Sequence, residues 1–279
     1  MKKILSVLSV ALLLMGCSNE DEKRAEQLYK EAQTAYQQGE YNRAMYLLDS
    51  LENNCRQAID LRKAGHVFSY DVQLALEQDS LATADTMLIA VTKMINEMVE
   101  KCGFVYEKGE YDELGRYFIK GTDTQSNLER SYIHATVNEY GVVYLISEYR
   151  GGSYINHTSL RLTGSDKTVV TTASVPLENE GANYHFKNQG LCHETVTYVN
   201  DPALGFIDMQ VSDKKLKAEL LYKDEQKAFS VTLNEKDRQS ISQTYQLGQM
   251  LAAQLKFSQQ SKIAAEKIKL FQSKKKIKG

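Results

Sequence analysis

The chain has 279 residues, 42% hydrophobic and 25% charged, with a formal net charge of −2. Those proportions are normal for a folded globular protein, and no apolar span beyond the first residues is long enough to suggest a second membrane attachment. The charge is unevenly placed: from Lys256 onward eight lysines face one acid, Glu266, a net of +7, so residues 1–255 carry −9.

Lys2 and Lys3 open the chain with positive charge, and residues 4–14 form an uncharged stretch whose only polar members are Ser6 and Ser9. The stretch is too short to span a bilayer, which takes roughly 20 apolar residues. It fits the apolar region of a secretory signal, which is removed before folding. Leu14-Met15-Gly16-Cys17 follows. It resembles the lipobox of bacterial lipoproteins, with a branched apolar residue, then a small residue, then the cysteine that begins the mature chain. The resemblance implies cleavage after Gly16, diacylglycerol on the Cys17 thiol and a further acyl chain, such as palmitate, on the new amino terminus. One acyl chain holds weakly and two or more hold stably, at about 0.8 kcal/mol per buried methylene. Ser18 follows, where an aspartate would favour the inner membrane in enterobacterial lipoproteins. The run Glu20-Asp21-Glu22 resembles the export signal of Bacteroidetes surface lipoproteins, although acids also suit the start of a helix. The expected address is the outer membrane, on the cell surface or the periplasmic face.

Residues 21–101 have the three-and-four spacing of helices. Leu28, Ala32, Ala35 and Tyr36 line one face, Gly39-Glu40 breaks it, and Tyr41, Ala44, Leu48 and Leu51 line the next. This order resembles one tetratricopeptide repeat, a helical hairpin of about 30 residues. It departs from that pattern in carrying Leu28 at the first aromatic position and in lacking the closing proline. Ile59, Val67, Tyr70 and Leu74 are expected on the core face of a further helix, and Asp79-Ser80 is expected to cap another that runs to Cys102. Residues 121–127 then have the composition of a polar linker.

Beyond the linker the apolar period becomes two. Strands are expected at residues 133–137, 142–149, 154–162, 168–175, 182–187, 191–199, 206–211, 216–222 and 228–233, separated by turn signals. Such spacing argues for an antiparallel sandwich or open barrel. Asn234, with Asp237 three residues on, should cap a long last helix. Its Lys274, Lys275, Lys276 and Lys278 are expected to be free, as an anionic contact or as a solvated end that complements the helix dipole. The fold class is therefore α+β. The expected domains are a signal at 1–16, a tetratricopeptide-like helical domain at 17–120, an antiparallel β domain at 127–233 and a C-terminal helix at 234–279.

No nucleophile-elbow, zinc-protease, P-loop or dinucleotide-binding motif is present. With Cys17 lipidated, Cys55, Cys102 and Cys192 remain, without metal-ligand spacing. A Cys55–Cys102 bridge is conceivable, and Cys192 should be a buried thiol in a strand. His66 should lie on a helix surface and His134 should face outward from its strand. His157, His185 and His193 form the only histidine group open to a metal or acid–base role, the alternative being ordinary polar residues of a sheet surface. Seventeen tyrosines and no tryptophan are present. Tyr140, Tyr144, Tyr149, Tyr154, Tyr184 and Tyr198 fall in the β region, where tyrosine serves strands, interfaces and sugar stacking alike. The expectation is a non-catalytic, membrane-tethered interaction or scaffold module with an envelope protein partner, no cofactor, no metal and no nucleic acid. The alternative is a surface lipoprotein that binds a glycan or a small ligand.

Overall fold

A computed structural model describes the backbone of residues 2–278 and the side chains of residues 20–275. The expected cleavage point after Gly16 and the side chains of Cys17, Lys276 and Lys278 thus lie outside the described residues. Among the described residues there are five α-helices: α1 (Lys2–Gln37), α2 (Tyr41–Asn54), α3 (Ile59–Cys102), α4 (Ala203–Met209) and α5 (Glu235–Lys278). The strands are β1 (Phe104–Glu107), β2 (Arg116–Ile119), β3 (Tyr132–Asn138), β4 (Val143–Gly151), β5 (Ser159–Thr163), β6 (Val169–Thr171), β7 (Asn183–Asn188), β8 (Leu191–Val199), β9 (Lys217–Tyr222) and β10 (Lys227–Val231). The class is α+β, with two antiparallel sheets that do not close into a barrel. Among the described residues no helix is long and apolar enough to cross a membrane.

The chain divides into two compact units, residues 1–88 with 257–279, and residues 89–256. In the first, α1 and α2 form the expected hairpin. Gly39 turns it with φ of +77°, a conformation that costs glycine little. Ala25, Ala32, Ala35, Ala44, Leu47, Leu48 and Leu51 fill its core, with Leu28, Tyr29, Tyr36 and Phe68 at the margin. Helix α3 runs unbroken through Asp79-Ser80, where a new start was expected. No glycine or proline stands there, and an exposed Asp or Ser in a helix interior costs only tenths of a kcal/mol. Its buried side chains include Val72, Ala75, Ala84, Val91 and Ile95, while Ile59 and Val67 face solvent. Of the lysines expected to be free, Lys275 is engaged, its Nζ 2.6 Å from Asp71, and earlier in α5 Lys267 Nζ lies 2.8 Å from Glu77.

In the second unit, a six-stranded sheet has the order β1-β2-β3-β4-β8-β7 and a four-stranded sheet the order β10-β9-β5-β6. Strands β1 and β2 fall within the span expected to be helical, but β2 pairs with β3 and β1 with β2. The intervening 121–127 segment is an ordered cover and not a hinge. Thr122 is buried, and Ser126 donates to Asp123. Arg130 grips the Asp237 carboxylate with two bonds, of 2.7 and 2.9 Å. Asn234 and Asp237 form the reciprocal cap expected at the start of α5, with Asp237 N donating to Asn234 Oδ1 at 2.9 Å. One expected strand, at 206–211, is instead part of α4 and the turn after it. Ala203, Leu204, Phe206 and Ile207 are buried at helical spacing, and Asp201 Oδ1 accepts the Ala203 amide. Helix α5 lies against the inner face of the larger sheet, where a Cβ on Gly248 would come within 2.3 Å of Val143 Cγ2.

Candidate functional site

Strands β4 and β8 pair antiparallel, Tyr149 opposite Glu194 and Arg150 opposite His193. Alternation sends successive side chains to opposite faces, and each face carries a distinct polar cluster.

On the inner face, Ser147, Glu194 and Tyr198 meet His157, which stands just ahead of β5. Glu194 Oε2 lies 2.7 Å from His157 Nδ1, and His157 Nε2 lies 2.8 Å from Ser147 Oγ. Ser147 Oγ is also 3.3 Å from the Tyr198 hydroxyl. With Glu194 ionised, the His157 proton sits on Nδ1 and Nε2 accepts from Ser147. This is the order of a hydrolytic serine, histidine and carboxylate. Its setting is different, because Ser147, His157 and Glu194 are all 0% exposed. The serine sits mid-strand between the sheets, where no substrate reaches it. Glu194 also accepts the backbone amides of Ile155, Asn156 and His157 at 2.6, 2.9 and 3.0 Å. The network thereby latches the loop that carries Asn156 at φ of +59°. Burial works to raise the Glu194 carboxyl, but the His157 ring and these amides outweigh it and hold it below its ordinary value. Burial pushes the Tyr198 hydroxyl well above the usual tyrosine range.

On the outer face, register sets out cross-strand rows. Phe186, His193 and Arg150 make one, and Tyr184, Thr195, Glu148 and Tyr132 the next. Glu148 and Arg150 form an ion pair of 2.8 Å, and Thr195 donates to Glu148 at 2.9 Å. Burial opposes ionisation of Glu148, while His134 and Arg150 hold its carboxyl below the ordinary range. His134 stacks on Tyr132 with ring centres 5.0 Å apart, and its Nε2 stands 3.8 Å from Glu148. Burial first, and Arg150 second, lower the pKa of His193. Among the described residues both ring nitrogens of His134, Nε of Arg150 and Nδ1 of His193 are buried without a hydrogen-bond partner. Thr124 reaches over this end of the face to Glu148 and Tyr132. Toward the β7 edge the face opens. Phe186 stacks on His193 at 4.4 Å and 10°, and Tyr184 tilts against Phe186. Tyr184 is 56% exposed and Phe186 36%.

His134 therefore lies on the face opposite Ile133 and Ala135, as alternation requires, but it is buried there, because Tyr132, Glu148 and the 121–131 segment crowd that end. His157 and His193 are likewise buried, contrary to the expectation of sheet-surface residues. The three strand histidines do not converge. His157 and His185 belong to the inner side, where His185 bonds Asn183 at 2.7 Å and stacks on Tyr154, while His193 belongs to the outer. Among the described residues no group of three His, Cys, Asp or Glu side chains is placed to hold a metal ion. Cys55, Cys102 and Cys192 are free thiols, Cys192 buried in β8 as expected. His66 is exposed on α3, within 3.2 Å of the Tyr70 hydroxyl.

Among the concavities of the helical unit is one of about 530 Å³, lined by Glu52, Ile59, Arg62, Lys63, His66 and Val67. Arg62 and Glu52 pair across it.

No family model, curated protein or solved structure matches the chain.

Sequence reasoning passed over Ser147, Glu148, Arg150, Thr195 and Phe186. The usable signal was the pair Glu148 and Arg150, opposite charges two apart inside a largely apolar strand. Such spacing puts them on one face, where an ion pair is expected.

Proposed function

We propose that the mature chain is a lipid-tethered envelope protein of the outer membrane that acts by binding, and that its recognition surface is the outer face of the six-stranded sheet. The shelf of Tyr184 and Phe186, stacked on His193, carries this reading. Exposed aromatic faces beside polar groups suit the apolar face and hydroxyl edges of a sugar ring. Thr195 and Thr197, half-buried on the same face of β8, add hydroxyl groups beside the shelf. The buried Glu148–Arg150 pair behind it fixes the strands. Ser147, His157 and Glu194 serve the fold and not catalysis.

Calorimetric titration of the mature protein with neutral and uronic-acid oligosaccharides tests the proposal. Binding weakened about tenfold by Phe186→Ala, equal to about 1.4 kcal/mol, is the expected result. Failure of the unaltered protein to bind any member of the panel would remove the reading. The tether has its own test. Cys17→Ser should abolish lipid labelling and release the chain from the membrane fraction, and labelling that persists would end that part.

A second reading has its own observation. The helical groove exposes Ile59 and Val67 beside Arg62 and Lys63, a surface suited to an amphipathic segment of a protein partner. Val67→Glu should then abolish capture of a partner from solubilised envelope, and capture unchanged by it would count against the groove.

A further inference from the structure

Helix α5 has two different faces within the unit formed by residues 1–88 and 257–279. One packs inward. Ala264 is buried, Phe257, Ile268 and Phe271 are half-buried, and Ser261, Lys267 and Lys275 bond Asp85, Glu77 and Asp71 of α3. At 100° per residue a flank about 110° round the helix from Ala264 carries Ile263 and Leu270, two turns apart. Both are exposed, at 53% and 48%. Lys262 and Lys269 flank this pair on one side, Lys267 and Lys274 on the other, with Glu266 the only acid among them. Lys262 and Lys269 have no ion-pair partner among the described residues, and Lys274 lies over the Phe271 ring at 5.7 Å. In the sequence the same seven-residue step falls next on Ile277.

We infer that this outer stripe of α5 is a contact for an anionic bilayer surface, with Ile263 and Leu270 entering the headgroup boundary and Lys262, Lys269 and Lys274 meeting lipid phosphates. An apolar stripe bordered by lysines is the pattern of a helix lying in the plane of an interface. Charge favours lipid over a second copy of the chain, since two such faces brought together would oppose lysine to lysine. Two apolar side chains bind a membrane weakly alone, so the contact depends on a tether that raises its local concentration. To that extent it rests on the lipid anchor proposed for Cys17.

The absence of tryptophan provides a clean reporter. Leu270→Trp, at an exposed position, introduces a single fluorophore into the full mature lipidated chain. It would be reconstituted in vesicles of phosphatidylcholine, with and without phosphatidylglycerol. On the anionic vesicles the emission should shift to the blue and be quenched by brominated lipid. High salt, or the combined Lys262→Glu, Lys269→Glu and Lys274→Glu, should abolish both effects. Tyr46→Trp, on exposed α2, should remain water-like on the same vesicles. Water-like emission from Leu270→Trp on anionic vesicles would overturn the inference, as would equal quenching of the Tyr46→Trp reporter. A blue shift that follows protein concentration in detergent, without quenching by brominated lipid, would also overturn it and mark a contact between copies. Mass spectrometry of Cys17 separates the two readings. If the cysteine carries no lipid the anchor fails, while the same Leu270→Trp chain held on anionic vesicles by an N-terminal hexahistidine tag and nickel-chelating lipid still decides the stripe.

Discussion

Ser147 and Glu148 are neighbours in the chain, yet they belong to two polar clusters run on opposite terms. On the inner side of β4, Ser147, His157, Glu194 and Tyr198 are enclosed between sheets, and each is hydrogen-bonded. On the outer side, Glu148 and Arg150 are nearly as deeply buried, yet among the described residues Nε of Arg150, both ring nitrogens of His134 and Nδ1 of His193 have no hydrogen-bond partner. A buried polar group costs little when bonded and about 1–3 kcal/mol when left unpaired. The inner cluster therefore resembles a fastening, which fixes the 152–157 loop against β8. The outer one is costly as a fastening, which is the pattern of a surface kept polar for something other than stability.

That contrast can be broken most directly at Glu194. Glu194→Ala removes the acceptor for His157 and for three backbone amides, and should cost about 3–5 kcal/mol, the range for breaking a buried pair. Urea unfolding measures it, and a loss below about 1 kcal/mol would show that the latch is not one. The outer pair should behave otherwise. Arg150→Met alone strands the Glu148 carboxylate and should destabilise the fold strongly. Glu148→Leu with Arg150→Met should recover most of that loss or exceed the parent, because apolar replacements of a buried pair are often neutral or stabilising by about 1–4 kcal/mol. A double-mutant cycle reads the difference, and a double variant as weak as the single would place the outer pair in the same class as the inner network.

A smaller effect is expected from pH. The pKa of His193 lies below its ordinary 6.5, with burial the first cause, so the unfolded chain takes up the proton before the folded one does. Its contribution is complete above pH 6.5 and is lost as pH falls through the folded value. Glu194, also depressed, adds a second loss at lower pH, below its ordinary 4.5. The melting temperature should thus decline in two stages on acidification. Since burial lowers the pKa of His185 in the same way, His193→Phe should reduce the first stage only, and His193→Phe with His185→Gln should remove it. A first stage unchanged in the double variant would assign it to another group.

Much of the architecture was legible because it rests on periodicity. The hairpin of α1 and α2, the alternation of β3, β4 and β8 and the Asn234–Asp237 cap all follow from spacing that tertiary packing reinforces. The errors arose where local signals were weak or ambiguous. Asp79-Ser80 resembles a cap but lies within α3, and Phe206 and Ile207 can be taken as either period until Ala203 and Leu204 are counted with them. Strands β1 and β2 are four residues each, too short to announce themselves. The two clusters were hidden for another reason. His157 reaches Ser147 and Glu194 across 10 and 37 positions, and no sequence spacing encodes which loop folds over which strand.

The unit that begins the chain is not continuous, since residues 1–88 are joined by residues 257–279. The partners of Glu77 and Asp71 arrive 190 and 204 positions later. The α1–α2 hairpin, built on near neighbours, can assemble as soon as it is synthesised. The inner stripe of α3 must wait for the end of the chain, and the entropy of closing so long a loop slows the step further. Until α5 arrives, the apolar positions of α3 that it will cover remain open to solvent. In that interval they are open to non-native contacts, and it is α5 that closes the unit α1 begins.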